Sequence, residues 1–136
     1  MEKNDKLNNF YFFFFYVTSM FLKRLNKHND KFILSSIAFV SSCLMLNFLS
    51  IVFILGTINK MPINPKLITI SALPILIMNY IFLTRSNTSQ RIIAFYDKKY
   101  ENKKYNPLSV VLIIGYIIFS YGSCISIAYL IRNHLI

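Results

Sequence analysis

Acidic side chains are scarce: five Asp and Glu stand against fifteen Lys and Arg, for a formal net charge of +10. No carboxylate and no histidine falls inside any of the three long apolar runs, so nothing there can act as a general base or couple to an ion. Three glycines in 136 residues leave no glycine-rich phosphate loop and no nucleophile elbow. The two cysteines, Cys43 and Cys124, both lie in apolar runs and read as small packing residues, with neither a disulfide framework nor a metal ribbon. His28 and His134 sit near opposite ends of the chain, so a shared metal site is not expected. These absences argue against an enzyme working alone: the expectation is no catalytic residue, no cofactor and no metal. There is no internal repeat or separate soluble domain either, so residues 1–136 are expected to form a single membrane domain.

What the chain has in quantity is apolar surface. It is 55% hydrophobic with a mean hydropathy of +0.50, too much for one water-soluble core of this size. Crossing a hydrocarbon layer of roughly 30 Å takes about 20 apolar helical residues. Three segments qualify: Phe32 to Leu55, Leu67 to Thr84 and Leu108 to Ile131. The second is short and contains Pro74, which removes one backbone hydrogen bond from its middle. Pro65 and Pro107 precede the second and third spans, where a missing donor costs little. The expected fold is therefore all-α, an integral membrane protein with three transmembrane helices and an additional aromatic helix at the amino terminus.

Basic residues set the orientation. Lys3, Lys6, Lys23, Arg24, Lys27 and Lys31 precede the first span, and Arg85, Arg91, Lys98, Lys99, Lys103 and Lys104 follow the second. Only Lys60, Lys66 and Arg132 fall on the other side. By the positive-inside rule, the amino terminus and the 85–107 connector face the cytoplasm, and the carboxy terminus lies outside. The expected location is a bacterial cytoplasmic membrane.

Ahead of the first span stands NFYFFFFYVTSMFLKRLNKHNDK, residues 9–31. Its apolar core, Phe10 to Leu22, rises only about 20 Å as a helix, some 10 Å short of a crossing. Tyr11 and Tyr16 suit the headgroup boundary, and Lys23, Lys27 and Lys31 form a four-residue stripe facing anionic lipid. An interfacial or re-entrant helix is thus favoured over a fourth crossing. A cleaved signal peptide is least favoured, because the run is phenylalanine, Glu2 and Asp5 dilute the charged start, and no A-x-A site follows.

The connector RSNTSQRIIAFYDKKYENKKYNP reads as a basic amphipathic surface helix, with Ile92, Tyr96 and Tyr100 on one face and Ser86 or Ser89 as cap. Lys99 and Lys103 are expected at lipid headgroups. Nucleic acid is not an expected partner, since the same charge orients the spans and no recognised binding motif accompanies it.

Inside the spans the polar groups are amides, hydroxyls and thiols, which join helices more often than they catalyse reactions. Ser36, Cys43, Asn47 and Ser50 share one face of the first span, and Gly115, Gly122 and Ser126 share one face of the third. Both faces are expected helix–helix contacts. Asn47 and Asn79 need partners that lipid cannot supply, whether another helix of the same chain or a polar ring formed by several subunits.

The stretches NNFYFFFFYVTSMFLKRLN, NYIFL at Asn79 to Leu83, and RIIAFYDKKY together resemble small multi-pass bacterial membrane proteins with no assigned activity. That resemblance implies no function. The residues themselves favour an accessory or structural subunit acting through helix association, as a homo-oligomer or with another membrane protein. The alternatives are a pore-forming or membrane-perturbing effector of a toxin or antiphage module, and an immunity-type protein against a membrane-active toxin.

Overall fold

The computed structural model describes residues 9–25, 31–60, 64–101 and 107–133. Five α-helices follow in order: α1 Phe10–Leu25, α2 Phe32–Ile58, α3 Pro65–Thr84, α4 Thr88–Tyr100 and α5 Pro107–Arg132, with no strand among the described residues. Three of them, α2, α3 and α5, are long and apolar enough to cross a membrane. At 1.5 Å per residue they measure about 40, 30 and 39 Å, against a hydrocarbon layer of roughly 30 Å.

Local chemistry sets the boundaries. Asn9 accepts from the backbone amide of Phe12 at 2.9 Å and so starts α1. Asn64, in extended conformation, accepts from the amides of Lys66 at 3.1 Å and Leu67 at 3.4 Å, and Pro65 opens α3 behind it. The helix runs unbroken past Pro74. It ends where Ser86 (φ 54°, ψ 31°) and Asn87 (φ 53°, ψ 34°) both turn left-handed. Asn tolerates that conformation better than most residues because its short side chain bonds locally. The break turns a continuous run into α3 and a separately directed α4. Neither Ser86 nor Ser89 caps α4, contrary to expectation: Ser86 is spent in the turn, Ser89 is buried, and Thr88 Oγ1 instead donates to the Arg85 carbonyl at 2.7 Å.

The long helix α2 is the hub, packed against α1, α3 and α5. It runs antiparallel to α3 and parallel to α5, since Asn47 meets Tyr116 and Ser50 meets Ser123 in the same order along both. The start of α2, the end of α3 and the start of α5 therefore share one end of the bundle, with α4 beside them. Lys23, Arg24, Lys31, Arg85, Arg91, Lys98 and Lys99 gather there, while Lys60, Lys66 and Arg132 sit at the far end.

The placement of α1 decides the architecture. Asn9 and Phe10 share a cavity with Ser109 and Leu112, whereas Val17, Phe21 and Arg24 share another with Val110. Both parts of α1 thus adjoin the first two turns of α5, so α1 runs across α5 and not along it. Its second turn is enclosed on every side: Phe13, Phe14, Phe15 and Tyr16 are 8%, 2%, 0% and 2% exposed. Four successive helical residues at about 100° each sweep the whole circumference. A helix resting on a lipid surface would bury one stripe only. The aromatic run belongs to the core of the protein, packed against α2 and against α4.

Candidate functional site

Rings hold α1 in place. Phe14 meets Phe39 of α2 edge-on at 6.5 Å and Tyr116 of α5 at 5.4 Å, and Phe12 stacks on Phe82 of α3 at 6.2 Å. On the α4 side, Tyr16 stacks on Tyr96 at 5.2 Å and Phe13 tilts against Tyr96 at 5.6 Å. Offset and edge-on pairs of this kind each add roughly 0.5–1.5 kcal/mol beyond area burial. Two hydrogen bonds fix the register: Tyr16 donates to Asp97 Oδ1 at 2.8 Å, and Tyr96 donates to the Asn9 carbonyl at 3.2 Å.

Between the helices the amides act as pegs. Asn79 donates through Nδ2 to Ser41 Oγ at 2.6 Å and accepts from the Tyr11 hydroxyl, joining α3 to α2 and α1 at one residue that is 9% exposed. Asn47 Nδ2 donates to the Tyr116 hydroxyl at 2.6 Å, while its buried Oδ1 has no partner among the described residues. Ser50 and Ser123 hydroxyls lie 3.2 Å apart. Several serine hydroxyls also bond within their own helices. Ser36, Ser41, Ser42 and Ser120 donate to the carbonyl four residues earlier, at 2.6–2.8 Å, which satisfies them inside their own helices.

Ser36 and Cys43 are buried, and Cys43 is a free thiol within the apolar core; Cys124 is free and half-buried. The third span differs from its glycine pattern. Gly115, Gly122 and Ser126 are exposed, and a Cβ placed on either glycine would meet no atom within 4 Å. The face of α5 that meets α2 carries Tyr116, Ser120, Ser123 and Ile127 instead. Their 4-3-4 spacing marks one helical side as clearly as the glycines do, and a phenol able to reach an amide outweighs close backbone approach.

Of the lysines expected at lipid headgroups, Lys23 sits 5.6 Å over the Phe32 ring, and Lys99 lies 5.6 Å over Tyr96 and 5.8 Å over Tyr100. Lys31 is exposed, and Lys27 and Lys103 lie outside the described residues, as do His28 and His134. No group of His, Cys, Asp and Glu able to hold a metal occurs among the described residues. An apolar cavity of about 400 Å³ opens between α1, α2 and α5, lined by Thr18, Leu22, Phe39, Ile113, Ile114 and Ile117 among others.

Burial in the tyrosine stack pushes the Tyr96 phenol up to about 12, with neighbouring Tyr100 adding to the shift. A phenol whose folded value lies above its ordinary value of about 10 stabilises the fold while protonated. That contribution is complete below pH 10 and is lost as the pH climbs toward 12. Alkaline titration of the purified protein should loosen the α1–α4 contact in that window, read as tyrosinate absorbance rising together with protease sensitivity of α1. Tyr96→Phe should shift the loss of protection to higher pH.

Compared with protein-family models, curated proteins and solved structures, the chain matches none.

Proposed function

We propose that the chain is a small accessory subunit of a membrane, with α1 and α4 on the cytoplasmic side, that offers the small-residue face of α5 to a helix of another membrane-embedded chain or a second copy of itself. One observation carries this reading: Gly115, Gly122 and Ser126 point away from the rest of the chain with open space above both glycines. Between lipid-exposed helices, small residues allow close backbone approach and are enriched at contacts. The excess of basic residues at the α1–α4 end supports the orientation.

A pore built around Asn47 and Asn79 is the weaker reading. Asn79 spends its amide on Ser41 and Tyr11, and Asn47 spends its donor on Tyr116, so both face into the single chain.

Replacing Gly115 and Gly122 together by isoleucine tests the proposal. A Cβ at either glycine meets nothing within 4 Å and both positions are exposed, so protein level and protease resistance should hold. Cross-linking from Ser126→Cys, in a background of Cys43→Ala and Cys124→Ser, should trap a partner helix in the parent and fall about tenfold or more in the double variant, in keeping with close packing at small-residue contacts. Equal cross-linking in both would mean that this face merely meets lipid.

A further inference from the structure

The crevice between α1 and α5 joins an oily interior to a cation. Val17, Phe21 and Val110 line both the 400 Å³ cavity and an adjoining one of about 190 Å³, and Arg24 stands at the edge of the second. The larger space is apolar over nearly its whole lining and ends at Ile117, seven residues and about 10 Å along α5 from Val110. Arg24 therefore sits level with the first turn of α5, where the basic end of the bundle begins, and the crevice leads from there toward the middle of the span. Its size falls in the range of about 300–1,000 Å³ usual for small-ligand pockets.

We infer that this crevice holds one acyl chain of an anionic glycerophospholipid, with its phosphate at the Arg24 guanidinium. Each part fits the matching part of the ligand: an apolar slot open to the side takes a hydrocarbon tail, and a guanidinium forks onto phosphate oxygens. An acyl chain on a zwitterionic headgroup fills the slot equally well but gains less at Arg24. The site lies on nearly the opposite side of α5 from Gly115, Gly122 and Ser126, at about 100° per residue, so it stands or falls independently of the partner helix.

Native mass spectrometry of the purified full-length chain in detergent tests this with phosphatidylglycerol and phosphatidylcholine as probes. The parent should retain phosphatidylglycerol about fivefold more than phosphatidylcholine, the scale expected of one cation near an anionic headgroup. Arg24→Gln, at an exposed position, should bring the two lipids to parity, while Arg132→Gln, exposed at the far end of the bundle, leaves the preference unchanged. Ile114→Trp, at a position 51% exposed, should fill the slot and lower retention of both lipids with α1 still protease-resistant. An undiminished preference in Arg24→Gln overturns the headgroup assignment, and undiminished retention in Ile114→Trp overturns the acyl site. Displacement of the lipid by inorganic phosphate alone would also overturn it, since the slot would then contribute nothing.

Discussion

Replacing Phe14 by alanine should release α1 from the bundle and cost about 3 kcal/mol, the largest effect expected of any single apolar truncation here. Phe14 is 2% exposed and its ring meets Phe10, Phe39 and Tyr116 at 6.4, 6.5 and 5.4 Å, so its loss opens a hole at the point where α1, α2 and α5 converge. The figure lies at the low end of the range of about 3–5 kcal/mol for buried phenylalanine in water-soluble proteins, because lipid is as apolar as a side chain and only packing is lost. Hydrogen exchange should show the α1 amides losing protection while those of α2 and α5 keep theirs. Phe119→Ala, at a position 68% exposed, should change stability by less than about 0.5 kcal/mol.

Asn79→Ala should cost about 2 kcal/mol by unfolding in detergent, because it removes two interhelical bonds and strands the Tyr11 hydroxyl away from water. Ser41 loses less, since its own hydroxyl donates to the Ile37 carbonyl at 2.6 Å. Tyr11→Phe alone should cost about 1 kcal/mol, and the double variant little more than Asn79→Ala, leaving a coupling of about 1 kcal/mol between the two sites. Asn47→Leu makes the contrast: it gives up one bond to Tyr116 and also removes an acceptor that has no partner, so its cost should stay below about 1 kcal/mol. Similar losses at the two asparagines would mean that Asn79 does not tie three helices together.

The spans were legible because uncharged runs bounded by lysine, arginine and proline admit few other solutions. Expected at 32–55, 67–84 and 108–131, they form Phe32–Ile58, Pro65–Thr84 and Pro107–Arg132. The surroundings of α1 were not legible. Phenylalanine is satisfied by lipid and by protein alike, so nothing in FYFFFFYV separates a helix resting at a bilayer surface from one enclosed by its own chain. What distinguishes them is the tyrosine face of α4, whose Tyr96 and Tyr100 cover α1 from a distance of some eighty residues in sequence. Asn79 declared its need for a partner through its amide alone, but Tyr11 and Ser41 become that partner only once three helices converge. The serines misled in the other direction, since a hydroxyl that can close onto its own helix needs no neighbour.

Three crossings leave α1 and α4 together on one side of the proposed arrangement. Single cysteines at Asn9, Lys60 and Gln90, introduced with Cys43→Ala and Cys124→Ser, probe that arrangement with a membrane-impermeant maleimide on intact cells. Residue 60 should be labelled at once, and residues 9 and 90 only after the cells are permeabilised. Immediate labelling at residue 9 together with residue 60 would make α1 a fourth crossing and contradict that arrangement.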